Sequence, residues 1–215
     1  MTGPAPIRRS AAGWSALLAA LPVPMREEVR AAYAAPGFNP GPAPGRHYHD
    51  GEHVGGIWAT WLALGGAAED RAILWAAAYH DLVYEIPSAS GWNEAESARR
   101  LTQIGAALRL DAAPLAEAVG MIEATARHLT AVAERDRLFC DLDLAGLACD
   151  PAGFRDNTER VRREYAMVPE PAFRAGRRAF LAGLLAEPAI FRSGRVPAWW
   201  EATARANIRR EVAEA

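Results

Sequence analysis

Residues 71–81 read RAILWAAAYHD, an apolar run that ends in a histidine beside an aspartate. The run lacks the alternating pattern of a half-buried strand, so it predicts a helix that is largely buried. A histidine and an aspartate at the end of a buried helix are costly to desolvate unless they are paired or bind a metal. His80 and Asp81 are therefore the first candidates for a functional site.

Helical patterns continue along nearly the whole chain. Runs of β-branched residues and alternating patterns are missing, so the sequence predicts an all-α fold. Two loops rich in proline, glycine or small residues, at 37–45 and 85–92, are expected to frame the entrance of the site. The predicted helices span residues 11–21, 24–34, 50–64, 69–84, 93–109, 112–129, 133–139, 151–166, 170–186 and 198–213.

The length of 215 residues predicts a single domain over residues 1–215, with the helices of 11–34 packed on its core and a C-terminal helix at 198–213. The net charge of -2 gives no general attraction for a nucleic acid polymer or an anionic membrane. All 24 basic residues are arginine, which excludes Schiff-base lysine chemistry. The two cysteines, Cys140 and Cys149, are too few for a disulfide framework and favour a reduced, cytoplasmic location. Nothing in the sequence indicates an oligomeric state.

The N-terminal segment allows two interpretations. Arg8 and Arg9, followed by an apolar run, resemble the start of a secretory signal peptide. However, the run ends at Pro22 without a small-residue cleavage site, and its leucines share one helical face with Trp14. We therefore interpret residues 11–21 as the first helix of the domain. No apolar run reaches the roughly 20 residues that span a bilayer.

The five histidines are the main candidates for functional residues in the chain. Three of them lie in residues 46–53, RHYHDGEH, where His49 and His53 are four apart and share a face if a helix begins there. Two carboxylates, Asp141 and Asp143, follow in the stretch CDLDL. Two imidazoles and two carboxylates form a mixed nitrogen and oxygen set. Such a set suits manganese, iron, cobalt, nickel or zinc better than calcium.

The order of His53, then His80-Asp81, then a distant aspartate resembles the H…HD…D motif of HD-domain metal-dependent phosphohydrolases. Local stretches resemble a small bacterial branch identified as predicted HD-superfamily phosphohydrolases: YHDGEH resembles its YHNxxH, HDLVYE its HDxVY, and WNEAESA its DNExxSA. Further similar stretches, VRREY among them, extend the resemblance over residues 14–211. It implies an HD-type helical bundle with a metal site among its central helices. It also implies a metal-dependent phosphohydrolase that cleaves a phosphomonoester or phosphodiester of a small, nucleotide-like molecule.

The resemblance implies which residues bind the metal. His53 takes the place of the first ligand, His80 and Asp81 take those of the central pair, and Asp143 that of the distal aspartate. Asp141 is the alternative for the distal position. The expected ion is divalent, and manganese, iron, cobalt, nickel, zinc and magnesium all stay open. The presence of one ion or two is equally open.

Three residues are expected to act on protons or water. His49 takes the place of a histidine that protonates the leaving oxygen in cyclic-nucleotide phosphodiesterases with an HNxxH motif. His128 resembles a histidine that lies near the metal in several HD proteins, and it is the other candidate acid. Asp81 is the expected hydrogen-bond acceptor for the nucleophilic water.

The substrate-binding residues are inferred from position and chemistry. Arg46 and Arg127 are the candidate phosphate clamp, because each lies close in sequence to a site histidine and a guanidinium fork matches phosphate oxygens. Glu94 is expected to orient a ligand or a water beside the substrate. Arg177 and the stretch RVRREY at residues 160–165 read as solvated helix faces.

Two positions depart from the family pattern. The family asparagine is Asp50 here, a mild exchange if this residue caps a helix, and the first acidic residue of DNE is Trp92. Three other interpretations stay open for the candidate site. They are a buried hydrogen-bonded network without metal, a non-catalytic module that binds a nucleotide or metal, and a di-iron oxygenase.

Overall fold

The computed structural model describes residues 3–35 and 45–214, so the predicted loop at 37–45 lies outside the described residues except for its last glycine. The described residues form ten α-helices and no β-strand, which confirms the all-α prediction. No described helix is both long and apolar enough to cross a bilayer. The helices are α1 (Ala11–Ala20), α2 (Val23–Ala34), α3 (Gly51–Ala63), α4 (Arg71–Tyr79), α5 (Trp92–Leu108), α6 (Ala112–Thr125), α7 (Glu134–Asp143), α8 (Pro151–Glu164), α9 (Glu170–Ala186) and α10 (Trp199–Glu214), with 3-10 helices at His128–Thr130 and Leu144–Ala148.

Helices α1 and α3 cross at a pair of glycines. A β-carbon on Gly55 would overlap backbone atoms of Ser10, and one on Gly13 would overlap the carbonyl group of Gly55. The two backbones approach this closely because neither position carries a side chain. The Ser10 N–H donates to the Glu52 carbonyl at 2.9 Å and completes the contact. This crossing fixes the first turn of α3, where His53 lies.

The segment before α1 contacts helices that are far apart in the chain. The Ile7 N–H donates to Thr60 Oγ1 in α3 at 2.9 Å. The indole Nε1 of Trp200, in α10, donates to the Pro4 carbonyl at 3.1 Å. The Arg8 guanidinium forms an ion pair with a carboxylate of α8. The N-terminal segment therefore joins α3 to α8 and α10.

Helix α4 is shorter than predicted. It ends at Tyr79, so His80 and Asp81 lie beyond its last turn instead of inside it. The helix stops there because the Val83 N–H, which would continue the ladder to the Tyr79 carbonyl, donates to Ser97 Oγ at 3.0 Å. The Arg46 guanidinium holds the turn that follows, donating to the Asp81 carbonyl at 2.5 Å and to the Leu82 carbonyl at 2.7 Å.

Two further helix ends differ from the prediction. Helix α7 continues to Asp143, past the predicted end at residue 139, and passes directly into the following 3-10 helix. Helix α6 ends at Thr125, and His128 begins a separate 3-10 helix. Both differences concern the site, because they place Asp143 at a helix end with His128 next to it.

Buried side chains form two clusters. The first is built from α1 to α7 and includes the fully buried Ile73 and Phe139. The second is built from α8 to α10 with the 3-10 helix after α7, and includes the fully buried Leu181 and Trp200. Leu64 packs against both clusters. The single-domain organisation stays a prediction.

Candidate metal centre and its cavity

Three helix ends bring four side chains together. His53 lies in the first turn of α3, His80 and Asp81 follow α4, and Asp143 ends α7. His53 Nε2 lies 3.1 Å from Asp143 Oδ1 and 3.7 Å from Asp81 Oδ2. His80 Nε2 lies 2.9 Å from Asp81 Oδ2 and 3.6 Å from Asp143 Oδ1. Two imidazole nitrogens and two carboxylate oxygens therefore converge.

The backbone orients the His80 ring toward this cluster. A carbonyl oxygen only accepts, so His80 Nδ1 donates to the Ala77 carbonyl at 3.0 Å, and in the neutral ring Nε2 carries the lone pair. His80 Nε2 and Asp81 Oδ2 are buried and have no hydrogen-bond partner among the described residues, although they lie only 2.9 Å apart. Two lone pairs that face each other at this distance repel unless a cation or a proton lies between them.

The separations in the cluster fit a divalent ion. Two ligand atoms that each lie about 2.1 Å from one ion, at right angles, are about 3 Å apart. The four separations run from 2.9 to 3.7 Å, at or slightly above that value. The residues that would hold the ion are His53, His80, Asp81 and Asp143, and their donor atoms suit a transition metal or zinc. The identity of the metal stays a prediction.

The charges of the cluster favour a proton on His80 when no ion is bound. Burial favours the neutral ring, but the charges of Asp81 and Asp143 outweigh it and raise the pKa of His80 to about 9. Burial also opposes ionisation of Asp81, yet His80 and His49 hold the pKa of that carboxyl well below its usual range. A proton on His80 Nε2 and an ion bound to the same atom exclude each other.

We expect the affinity for a divalent ion to rise with pH up to about pH 9 and then to level off. Below that pH the ion displaces the His80 proton, so the slope should approach about tenfold in affinity per pH unit, with about one proton released per ion. Calorimetric titration with manganese near neutral pH, in buffers of different ionisation enthalpy, measures the released proton. Affinity that does not change with pH in this range would contradict His80 as a ligand.

His128 contacts the cluster through Asp143. Its Nε2 lies 2.7 Å from Asp143 Oδ2, while Asp143 Oδ1 faces His53. Burial opposes ionisation of Asp143, but the hydrogen bonds from His128 and His53 hold its pKa well below the usual range. His128 therefore orients the Asp143 carboxylate. It also lies on the wall of the cavity described below, and its action as an acid stays a prediction.

Asp141 has other partners than the cluster. It is buried, and its carboxylate accepts hydrogen bonds from the backbone N–H groups of Arg192, at 2.8 Å, and Ser193, at 2.9 Å. Both oxygens are therefore engaged in holding the segment before α10. Of the two aspartates that the sequence left open, Asp143 is the one that lies with His53.

Glu164 is a site residue that sequence reasoning missed. It is 1% exposed, whereas residues 160–165 were expected to form a solvated face. Its Oε1 accepts from three consecutive N–H groups, those of His47, Tyr48 and His49, each at 2.9 Å. These three bonds hold the segment that leads into α3. The available clue was the VRREY stretch, which carries the family resemblance without an obvious chemical role.

Glu164 also positions the His49 ring. Its Oε2 lies 2.7 Å from His49 Nδ1. The Tyr84 ring stacks on the His49 ring, with 4.2 Å between the ring centroids. Burial favours neutral His49, but the charges of Glu164 and Asp81 outweigh burial and raise its pKa. Because Glu164 holds Nδ1, Nε2 is the atom that can exchange a proton with a substrate.

A cavity of about 570 Å³ opens beside the cluster. Five residues that the sequence predicted for the site lie on its wall, namely His49, Asp81, Glu94, His128 and Asp143. The wall therefore combines two candidate metal ligands with both candidate acids. A space of this size accommodates a small organic substrate.

The arginines near the cavity differ from those predicted. Arg46 bonds to backbone carbonyls after α4 and does not lie on the cavity wall, and Arg127 is exposed. Their predicted contact with phosphate stays a prediction. Arg177 was expected on a solvated face, but it lies on the wall and is only 16% exposed at its side chain. It turns inward because Glu211 and Thr158 bond to its guanidinium at 3.0 and 3.3 Å.

The two residues that depart from the family pattern, Asp50 and Trp92, lie in different structural environments. Asp50 is the N-cap of α3, and its Oδ1 accepts from the N–H groups of Glu52 and His53 at 3.0 and 3.1 Å. Arg9 donates to its other oxygen at 2.5 Å. The carboxylate therefore performs the capping role expected of it. Trp92 is 40% exposed and does not lie on the cavity wall.

The loop at 85–92 adjoins the cavity without lining it. Tyr84 before it and Glu94 after it lie on the wall, whereas none of its own residues does. Asn93 closes the loop, because its side chain accepts from the Glu85 N–H at 3.0 Å and donates to the Glu85 carbonyl at 3.1 Å. The loop therefore holds the position of Glu94, and its place at the entrance stays a prediction.

The chain was also compared with known proteins. No protein-family model, no curated protein and no solved structure matches it. The resemblance to HD-domain phosphohydrolases therefore depends on the motifs of the sequence itself.

Proposed function

We propose that the protein is a metal-dependent phosphohydrolase that cleaves a phosphomonoester or phosphodiester of a small molecule. The observation that carries the proposal is a pair of buried atoms, His80 Nε2 and Asp81 Oδ2, that face each other at 2.9 Å without a hydrogen bond, beside the potential metal ligands His53 and Asp143. The cluster borders a cavity that fits a small substrate. The resemblance to HD-domain enzymes favours phosphate chemistry among the reactions that such a site supports.

In the proposed reaction, the ion and the protein side chains have separate roles. A divalent ion bound at the cluster supplies positive charge for a phosphoryl oxygen and acidifies a water molecule. Asp81 lies on the cavity wall, where its carboxylate accepts a hydrogen bond from the attacking water. His49, held at Nδ1 by Glu164, carries a proton at Nε2 for the leaving alkoxide oxygen. The raised pKa of His49 increases the fraction that is protonated near neutral pH.

The arrangement favours one ion over two. Among the described residues, His53, His80 and Asp143 form the one group of potential ligands whose atoms all lie within 4.8 Å of one another. This observation supports a phosphohydrolase over a di-iron oxygenase.

Hydrolysis of two esters by the manganese-loaded protein tests the proposal. We expect turnover of both an alkyl phosphate and p-nitrophenyl phosphate. The variant His49→Gln should lower kcat for the alkyl ester by about 10²–10⁴-fold, because that leaving oxygen needs a proton. The p-nitrophenolate group leaves without one, so the same variant should affect it far less.

The metal content of His49→Gln should equal that of the wild type, which separates proton donation from loss of the ion. Wild-type protein that binds metal but hydrolyses no phosphoester would contradict the proposal. Such a result would favour the non-catalytic binding module.

A further inference from the structure

The cavity beside the cluster continues into a part with apolar walls. These walls come from α8, α9 and the segment between them. We call this part the apolar chamber, and its residues are Phe154, Val161, Val168, Phe173 and Phe180. The chamber and the site carboxylates line one continuous space of about 570 Å³, which is large enough for one small molecule to contact both.

Helix α9 keeps the chamber open. Phe173, Gly176 and Phe180 lie three and four residues apart, share one face of α9 and line the cavity. A β-carbon on Gly176 would meet no atom within 4 Å, so the glycine leaves empty space between the two rings. Phe180 is 46% exposed, which makes its ring the wall of an open space instead of a part of the packed core.

The cavity wall carries little positive charge for a highly charged substrate. Among the described residues on the wall, Arg177 is the one arginine, and it already forms an ion pair with Glu211 at 3.0 Å. Asp81, Glu94 and Asp143 place three carboxylates on the same wall. A diphosphate or triphosphate would need several guanidinium or amide donors that this wall does not present. The charges therefore favour a single phosphoryl group, held at the ion.

Hydroxyl groups of Tyr48, Tyr84, Thr125 and Tyr165 lie on the cavity wall, but the five side chains of the apolar chamber offer no hydrogen bond to a sugar or a nucleobase. Asn157 lies there, but its amide donates to the Gly146 carbonyl at 3.3 Å and its oxygen accepts from Arg8 at 3.0 Å. The five chamber side chains are hydrocarbon. A hydroxyl-rich group placed among them would lose its hydrogen bonds to water without replacing them.

We infer that the substrate is an ester of a single phosphoryl group with an apolar alcohol, aromatic or branched aliphatic. Its phosphate lies at the ion and its hydrocarbon part fills the apolar chamber. This inference rests on the proposed phosphohydrolase function and replaces the nucleotide-like substrate that the resemblance implies. In the reaction the oxygen of water bonds to phosphorus, the P–O bond to the apolar alcohol breaks, and the alcohol oxygen takes a proton, which leaves the hydrolysed phosphate and a neutral alcohol.

Binding of two phosphonates, which are not hydrolysed, tests the chamber without requiring turnover. Calorimetry on the manganese-loaded protein compares phenylphosphonate with methylphosphonate. We expect the phenyl compound to bind about tenfold more tightly or better, because its ring leaves water for the chamber. Gly176→Leu fills the chamber and should remove most of this preference, while its affinity for methylphosphonate should stay unchanged.

Gly183→Leu is the matched control. It makes the same change on the same helix, a β-carbon there also meets no atom within 4 Å, and Gly183 does not line the cavity. This variant should keep the phenyl preference. Phe180→Ser removes one wall at an exposed position and should reduce the preference without filling the chamber. It provides a second test if Gly176→Leu folds poorly.

Equal affinity of the wild type for both phosphonates, or an unchanged preference in Gly176→Leu, would overturn the inference. Failure of the proposed function would give a different combination of binding and hydrolysis results. Phosphonate preference without hydrolysis of any ester would leave the apolar chamber as a binding site and remove the reaction. Ester hydrolysis without phosphonate preference would keep the reaction and remove the apolar substrate.

Discussion

The variant Asp143→Asn is expected to lower the affinity for a divalent ion by at least about a hundredfold, because loss of even an orienting partner of a ligand costs about 10–100-fold. The amide is nearly the same size as the carboxylate, so the substitution removes the charge and preserves the shape. Asp143 Oδ1 lies 3.1 Å from His53 Nε2, and its other oxygen bonds to His128. The variant therefore changes the centre of the cluster. Metal content per chain and calorimetric titration measure the loss.

Asp141→Asn is the matched control, two residues away on the same helix. Its carboxylate accepts hydrogen bonds from the N–H groups of Arg192 and Ser193. An amide keeps one of these bonds and turns its NH₂ group toward the other donor. We expect unchanged metal affinity and a free energy of unfolding lower by about 1–3 kcal/mol, measured by urea denaturation. Metal loss in Asp141→Asn with retention in Asp143→Asn would reverse the assignment of the distal ligand.

Glu164→Ala is expected to lower the free energy of unfolding by about 3–5 kcal/mol, because it removes one partner of a buried charged network. Three backbone N–H groups and His49 Nδ1 lose their acceptor at once. Thermal or urea denaturation of the metal-free protein measures the effect. Glu164→Gln is the control, since its carbonyl oxygen can still accept from the three N–H groups.

The difference between the wild type and Glu164→Gln should depend on pH. Burial opposes ionisation of Glu164, but His49 and the N–H donors hold its pKa below the ordinary 4.5. Its stabilisation is present above pH 4.5 and is lost as the pH falls through the lowered value. His49 stabilises the folded protein fully below its ordinary pKa of 6.5, and this is lost as the pH rises through the raised value.

Both contributions are complete between pH 4.5 and 6.5, so the difference in unfolding free energy should be largest in that window. Denaturation of both metal-free proteins across the pH range gives the profile. A difference that is flat with pH would show that the Glu164–His49 pair makes no electrostatic contribution.

The helices followed from the sequence because their patterns are local. Periodic apolar residues and caps such as Asp50 depend on a few neighbours in the chain, so most helices begin and end close to their predicted residues. The predicted end of α4 was wrong because the true end depends on a partner in another helix, Ser97, which accepts the Val83 N–H across a separation of 14 residues. Local patterns contain no information about such a partner.

For the site residues too, the positions that depend on local motifs were predicted and those that depend on distant partners were not. His49 and Glu94 reach the cavity wall as the motifs predicted, because their motifs specify the ends of helices that meet there. The inward position of Arg177 depends on Glu211 in α10, and the burial of Glu164 depends on the segment before α3. Alone, each of these residues has the ordinary spacing of a charged residue on an exposed helix face.

Because the chain is synthesised from its N-terminus, the contacts of the N-terminal segment form at different times. Pro4 bonds to Trp200, a contact with a sequence separation of 196, and Ile7 bonds to Thr60. Closing so large a loop is entropically expensive and slow compared with forming local helices. During synthesis, the segment can engage α3 early but must wait for α10. We therefore expect the second buried cluster, and the apolar chamber it borders, to gain protection from hydrogen exchange only after the last helix has formed.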